Sequence, residues 1–534
     1  MKNKYFDIHA PVFWPSVVLI VVFISVTLFV GEPMELVFID IKTFITDKTG
    51  WVFIIAVNAF ILFCFYLGFS KYGAIRLGGK DAETEFSTSS WFAMLFSAGM
   101  GIGLLFWGVA EPVYHYAIPP YGEPYSIAAA ERAMNLTFLH WGFHAWAIYA
   151  VVGLALAFFA YNRKLPLTIR SVFYPLLGER MNGWMGNLID VLAVLATLFG
   201  LATSLGLGVK QISGGLFYLF DLPNTVTVQV LLIAGITLIA TVSVVSGIDK
   251  GVKFLSEWNV RIAAILLIFV LIVGPTLFIF RSFVQNIGNY LTSIIEVSTW
   301  TEAYRDNGWQ GDWTVFYWAW WISWSPFVGM FIARVSKGRT IREFIFGVLL
   351  VPTLLTFLWL TALGGSAIFL DMKAAALGSG NLLAESITGD VSTALFVFLE
   401  SFPLSSIGSI IGILLVTSFF VTSSDSGSLV IDSITAGGKL DAPVGQRVFW
   451  ATAEGTVAAV LLIGGGLTAL QTAAITTGLP FLIILIIMCY SLLKGLQKEH
   501  ARLTQFEQDI DRKSYERKLS DVILKKLEKQ KKQS

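Results

Sequence analysis

The sequence predicts an all-α polytopic membrane protein with about twelve transmembrane helices, and three observations support that fold class. First, 55% of the 534 residues are hydrophobic and only 14% are charged, whereas soluble domains carry about 25% charged residues. Second, the apolar residues form runs of roughly 20, the length that crosses a bilayer as a helix. Third, lysine and arginine are concentrated in alternate connections between the runs. The net charge of +1 also disfavours a nucleic-acid partner.

The predicted spans are numbered one to twelve in chain order. They cover residues 13–30, 51–69, 91–110, 138–160, 187–208, 228–246, 258–280, 312–334, 344–369, 405–425, 447–465 and 474–494. An amphipathic stretch near 283–299 is expected to lie along the membrane surface. The first run lacks the small-residue cleavage site of a signal peptide, so we expect it to remain as a span. Cys64 and Cys489 lie within apolar runs, which is typical of packing residues.

Positive charge follows the even-numbered connections. Connections two, four, six and eight hold Lys71, Arg76 and Lys80; Arg163, Lys164 and Arg170; Lys250 and Lys253; and Arg334, Lys337, Arg339 and Arg342. The positive-inside rule therefore places these connections and both termini in the cytoplasm.

The C-terminal tail is densely charged with both signs. One interpretation is a solvated cytoplasmic helix. The other is a regulatory segment that binds anionic lipid through a cluster formed by Lys525, Lys526, Lys529, Lys531 and Lys532.

Two spans contain residues that disfavour a helix. The third holds Gly99, Gly101 and Gly103 at alternate positions, and the eighth holds Pro326. Interrupted helices at matching places in two halves point to a transporter binding site, so we expect both spans to be broken. Close packing through small residues is the alternative for the glycines. The predicted division is two extra spans (1–90), a five-helix repeat (91–280), a surface connector (281–311), an inverted second repeat (312–494) and the tail (495–534).

Aromatic residues are dense in two spans. The eighth has four tryptophans within seven residues near mid-span, too deep for an interfacial belt: Trp318, Trp320, Trp321 and Trp324. The fourth has Trp141, Trp146 and Tyr149, which core packing explains equally well. A quaternary ammonium has no N–H to donate, and ring faces attract it by up to about 2 kcal/mol per contact. The carboxylate of a zwitterion could accept backbone N–H bonds at the unwound glycines.

Two polar motifs leave their interpretation open. The tenth span ends in Thr422, Ser423 and neighbouring hydroxyls, which suit a small hard cation but also suit bonding back to the helix. His140 and His144 have a metal-binding spacing. No neighbouring acid is apparent, so we expect no metal there and place both histidines beside the aromatic cluster.

Taken together, these motifs resemble the betaine/choline/carnitine transporter family. The resemblance rests on Gly99–Gly103, Trp107–Pro112 and, most specifically, Tyr317–Met330, and it covers about residues 10–490. It implies a LeuT-like fold of twelve spans with inverted repeats, a bacterial inner membrane location, a homotrimer, no enzymatic activity, and sodium rather than an organic cofactor.

The resemblance also carries over site residues. The family's aromatic cage matches Trp141, Trp146, Tyr149 and Trp321, its substrate route matches Trp320 and Trp324, and its glycine segment matches Gly99, Met100, Gly101 and Gly103. One sodium site matches Ser97, Met100, Phe419, Thr422 and Ser423. A second matches Thr197 and Phe327, but Leu201 replaces a threonine and offers no oxygen.

The resemblance also separates substrates. Proton-coupled choline carriers of the family typically have an aspartate where this chain has Gly103, so Gly103 favours sodium and a zwitterion. The sequence therefore predicts sodium-coupled import of an osmolyte such as glycine betaine. Three alternatives stay open: a sodium-independent exchanger, a proton-coupled carrier of choline, carnitine or another onium compound, and a membrane sensor that uses the tail.

Overall fold

A computed structural model describes residues 6–99, 101–245, 249–305, 307–439 and 443–531. These ranges contain helices, turns and one isolated bridge between Arg76 and Thr340, so the all-α prediction is confirmed. The α-helices are α1 Ala10–Val30, α2 Met34–Phe69, α3 Thr88–Gly99, α4 Ile102–Ala117, α5 Ile127–Trp141, α6 Phe143–Ala157, α7 Tyr174–Leu177, α8 Trp184–Phe220, α9 Val226–Val245, α10 Asp249–Val273, α11 Thr276–Thr299, α12 Phe316–Val335, α13 Ile341–Leu360, α14 Ser366–Ala376, α15 Leu382–Gly389, α16 Ala394–Glu400, α17 Ser405–Thr435 and α18 Val444–Lys531.

Most of the predicted spans correspond to these helices, and the differences are as follows. Over the described ranges, nine helices are long and apolar enough to cross a membrane, and two bent pairs raise the number to eleven. One bent pair, α3 and α4, is the predicted third span. Helix α12 covers the predicted eighth span but is not among these nine helices. Helix α18 contains spans eleven and twelve, separated where Gly465 and Gly466 leave helical geometry. The other bent pair lies within 382–400 and matches no predicted span. The inverted repeats and domain boundaries remain predictions.

The break in the third span is confirmed, because α3 and α4 meet at 66°. The break predicted in the eighth span is wrong: α12 runs through Pro326 without interruption. Proline cannot donate to the carbonyl of Ile322, four residues earlier. The hydroxyl of Ser325 donates to that carbonyl instead, at 2.7 Å. A side chain thus replaces the lost backbone bond, which is how membrane helices tolerate proline.

Connections two, four and eight lie together on one face. The backbone N–H of Leu77 in connection two donates to the carbonyl of Arg339 in connection eight, at 2.9 Å. Asn162 at the start of connection four donates to the carbonyl of Arg76, also at 2.9 Å. On the opposite face, Asn224 in connection five donates to Asp390 in connection nine, at 3.2 Å. This pairing is the one that the charge pattern requires.

The connector and the tail are both helical. Helix α11 covers the predicted amphipathic stretch and packs on α5 through Ser293, which accepts a bond from Asn135 at 2.6 Å. Its position along the membrane surface remains a prediction. The tail continues α18, and its first turns are packed: Glu499 is buried and pairs with Arg163 at 3.2 Å, and the ring of His500 lies 5.9 Å from that of Tyr72. Farther along, the helix is mostly exposed, with Lys80 and Glu507 at 3.4 Å. Lys525 is exposed, whereas the side chains of the other lysines in the predicted lipid-binding cluster fall outside the described residues.

Candidate functional site

A cavity of about 590 Å³ lies where the break between α3 and α4 faces α12 and α17. The residues that line it come from helices that are far apart in the sequence. The predicted site residues that line it are Ser97, Gly101, Gly103, Trp141, Tyr149, Trp320, Trp321, Trp324, Phe327, Phe419, Thr422 and Ser423.

Three aromatic rings form one wall of this cavity. The ring centroid of Trp321 is 5.4 Å from that of Trp141, with the planes at 80°, and 4.9 Å from that of Tyr149, at 57°. The three rings therefore lie around one space, and aromatic rings are the groups that attract a quaternary ammonium. Trp146 does not line the cavity. It is buried behind the wall, with its centroid 6.1 Å from that of Trp321.

Two further tryptophans of α12 line the cavity, and a residue that the sequence analysis did not select holds both of them. The indole N–H groups of Trp320 and Trp324 both donate to the hydroxyl oxygen of Ser204 on α8, at 3.1 and 2.9 Å. Trp324 also donates to the carbonyl of Gly200, at 2.9 Å. Helix α8 therefore sets the orientation of both rings.

One glycine of the broken span lets the backbone lie directly against two aromatic rings. A Cβ on Gly103 would lie 2.7 Å from Cη2 of Trp320 and 3.0 Å from Cη2 of Trp141, far inside carbon–carbon contact distance. A Cβ on Gly101, whose backbone is extended, would meet no atom within 4 Å. Gly99 ends α3, and Met100 lies outside the described residues. Of Gly101 and Gly103, only Gly103 is thus required for close approach.

The cavity lining also includes an oxygen cluster around Thr422. Ser97 of α3 and Phe419, Thr422 and Ser423 of α17 line the same cavity. The Thr422 hydroxyl donates to the carbonyl of Ser418, at 3.0 Å. It also accepts a bond from the Nδ2 of Asn259 at 3.2 Å. Hydroxyl, amide and carbonyl oxygens are the donor types that hard cations prefer.

The residues of the second predicted sodium site do not form an oxygen cluster. Phe327 lines the cavity, but the hydroxyl of Thr197 donates to the carbonyl of Ala193 within its own helix, at 2.7 Å. Leu201 fills the space against α17, because a Cβ on Gly427 would lie 2.3 Å from its Cδ1. An apolar contact thus takes the place of the family's second threonine.

The cavity opens toward the face that carries the even-numbered connections. Glu257 and Arg261 of α10 line it, their side chains are 49% and 58% exposed, and they pair at 3.5 Å. The opposite end is closed by a buried aromatic layer in which the ring of Trp107 lies 5.3 Å from that of Trp313 and 6.2 Å from that of Tyr317.

A buried carboxylate lies within this closed end. The expectation that no acid neighbours His140 is wrong: an oxygen of Glu111 is 2.6 Å from its Nδ1. With His115 these groups form a compact cluster. Two ligands of a tetrahedral zinc ion, each about 2.0–2.1 Å from the metal, would lie roughly 3.3 Å apart. The 2.6 Å separation therefore fits a hydrogen bond better than shared metal ligation. His144 stacks on Trp318, with the ring centroids 5.6 Å apart.

Known proteins match this chain over most of its length. A model of the betaine/carnitine/choline family of transporters matches residues 11–501. The chain belongs to this family. It is 45% identical over 508 residues to a glycine betaine transporter of Acinetobacter baylyi, covering 95% of this chain and 76% of that protein. It is 52% identical over 502 residues to glycine betaine transporter 1 of Vibrio parahaemolyticus, covering 92% and 95%. It is 48% identical over 510 residues to a glycine betaine/proline/choline transporter of the same organism, covering 92% and 91%.

Family membership confirms the resemblance that the motifs indicated. The protein is a multi-pass membrane transporter and not an enzyme. Sequence reasoning missed Ser204, Asn259 and the position of Glu111. Ser204 and Asn259 are single polar residues in otherwise ordinary spans, and only the folded chain brings them to the cavity. Glu111 gave a usable signal, because an acid within an apolar run is a functional hypothesis by default.

Proposed function

We propose that this transporter imports a zwitterionic quaternary-ammonium osmolyte, with glycine betaine the foremost candidate, coupled to sodium. The observation that carries the proposal is that the ring wall of Trp141, Tyr149 and Trp321 shares one cavity with the oxygen cluster around Thr422. A cation that cannot donate hydrogen bonds and a hard metal ion thereby have adjacent sites of matching chemistry.

The charge of the cavity supports a substrate without net charge. Within the described residues, the charged groups that line it are Glu257 and Arg261, which pair with each other. A zwitterion would place its ammonium against the rings and its carboxylate near the extended backbone at Gly101, at the N-terminus of α4. Similar transporters are described by name as carrying glycine betaine, proline and choline. Proline, a secondary amine, and choline are thus the alternative substrates to test.

Sodium would couple transport by joining two helices. Its proposed ligands lie on α3, before the break, and on α17, so the bound ion would hold the broken span against α17 and shape the space for substrate. Each ligand then raises the affinity for the other by the same factor. The single oxygen cluster favours one sodium ion at this site, because position 201 supplies no oxygen.

The remaining parts of the proposal follow the family and the charge pattern. We place the protein in a bacterial inner membrane, as a homotrimer with both termini in the cytoplasm. The cavity that opens toward the even-numbered connections would then face the cytoplasm. Alternating access requires a second state in which the layer of Trp107, Trp313 and Tyr317 opens.

Equilibrium binding to the purified full-length protein tests the proposal. Radiolabelled glycine betaine should bind at least about tenfold more tightly in sodium chloride than in potassium chloride at equal ionic strength. Equal binding in both salts would contradict sodium coupling and favour exchange or a proton-coupled carrier. Absence of binding in either salt, in protein that remains monodisperse, would contradict the betaine assignment.

A further inference from the structure

The carboxylate of Glu111 lies behind the ring wall and contacts it through hydrogen bonds. Glu111 is fully buried on α4, eight residues after Gly103. The indole N–H of Trp141 donates to its Oε2 at 2.7 Å, and the hydroxyl of Tyr317 donates to the same oxygen at 2.5 Å. The third bond, at 2.6 Å, joins its Oε1 to Nδ1 of His140.

The hydrogen-bond pattern fits an ionised carboxylate. An indole N–H can only donate. His140 can donate from Nδ1 while its Nε2 accepts from the hydroxyl of Thr314, 3.0 Å away. With the Tyr317 hydroxyl, three donors then converge on two oxygens, which stabilises the charged form of a buried acid. Nε2 of His115 is 3.5 Å from Oε1, beyond the usual length of a hydrogen bond.

The basic groups beside this carboxylate are two imidazoles. Within the described residues, the hydrogen-bond and ion-pair partners of Glu111 include His115 and His140 but no lysine or arginine. In their neutral form these imidazoles leave an ionised carboxylate without a cation beside it. The Trp141 ring contacts the carboxylate through its N–H and also lines the cavity. A carboxylate that accepts from an indole N–H polarises the ring toward its faces, which strengthens the attraction of a face for a cation.

We propose that Glu111 is the counter-charge of the bound ammonium group, acting through the indole of Trp141. The inference rests on the proposed function, since it presumes a cationic group at the ring wall. Glu111 is thus a positioning residue: it fixes the orientation of Trp141 and increases the negative charge on its face without touching the substrate. It lies on α4, whereas the ring that it modifies lies at the end of α5.

Two substitutions separate charge from shape. Glu111→Gln keeps the length of the side chain and loses its charge, whereas Glu111→Asp keeps the charge and loses one methylene group. A role in charge predicts that the dissociation constant for radiolabelled glycine betaine rises about tenfold or more in E111Q and much less in E111D. A role in shape alone predicts the opposite order, and that order would overturn the proposal.

A double-mutant cycle tests the route through the indole. Trp141→Phe keeps a ring but removes the N–H, so E111Q should add less than about twofold to the dissociation constant of W141F. Additive effects would overturn the proposed route. Thermal midpoints and size-exclusion profiles of the full-length variants check folding. If wild-type protein does not bind betaine, the proposed function fails; if wild type and E111Q bind equally, only this inference fails.

Discussion

Replacing Gly103 by alanine gives a sharp test of the cavity, because the structure supplies both the size of the perturbation and a matched control. The added methyl group would lie 2.7 Å from Trp320 and 3.0 Å from Trp141, where carbon atoms in contact lie about 3.5–4.0 Å apart. Both rings must move by several tenths of an ångström or more. Overpacking of this kind costs about 1–3 kcal/mol.

The expected loss of affinity follows from this energetic cost. If the cost falls on the substrate-ready arrangement of the rings, the dissociation constant for glycine betaine rises by roughly 5- to 150-fold, since 1.4 kcal/mol is tenfold. Gly235→Ala is the control, because its methyl group meets no atom within 4 Å and it lies on α9, outside the cavity lining. We expect G235A to change the dissociation constant by less than about threefold.

Equilibrium binding of radiolabelled betaine to purified full-length protein measures both variants, with the thermal midpoint as a check on folding. The reasoning is refuted if G103A binds as tightly as wild type. It is also refuted if G235A loses as much affinity as G103A, because the loss would then not come from the rings.

Three further substitutions test separate parts of the account. Trp321→Leu should weaken betaine binding by roughly 30-fold, from the loss of about 2 kcal/mol of ring attraction, and unchanged transport would contradict the ring wall. Thr422→Ala should raise the sodium concentration for half-maximal uptake severalfold while Thr422→Ser does not, and equal behaviour of the two variants would argue against a hydroxyl ligand. Ser325→Ala should destabilise the protein by about 1–3 kcal/mol, because the Ile322 carbonyl loses its donor; Ser325→Thr should keep the thermal midpoint, and an unchanged midpoint in S325A would show that the carbonyl is satisfied otherwise.

The tryptophans that α12 contributes to the cavity could be predicted because the composition of this span is unusual. Four tryptophans within seven residues of one span exceed what an interfacial belt requires, and three of them, Trp320, Trp321 and Trp324, line the cavity. The glycine spacing predicted the break between α3 and α4 for a similar reason, since alternate glycines do not match a helix-packing motif.

The course of α12 could not be predicted from Pro326 alone. The effect of a proline depends on whether another donor reaches the carbonyl that it leaves, and Ser325 does so. That outcome depends on a side-chain rotamer and not on residue type. A proline in a predicted span therefore signals a missing backbone hydrogen bond, and the residues next to it decide whether the helix breaks.

Partners across helices were the other limit. Glu111 and His140 are 29 residues apart, and Asn259 and Thr422 are 163 apart. Neither pair shares a sequence motif, so spacing could not join them. Trp146 shows the reverse error: it lies within one turn of Tyr149, yet its ring points behind the wall and not into the cavity.

Uptake into proteoliposomes tests the central claim most directly. Vesicles containing the full-length protein would be given radiolabelled glycine betaine with an inward sodium gradient, and with potassium in its place. We predict accumulation above the external concentration only when the sodium gradient is present. Accumulation that is the same in potassium, or that follows an imposed proton gradient alone, would contradict sodium-coupled transport.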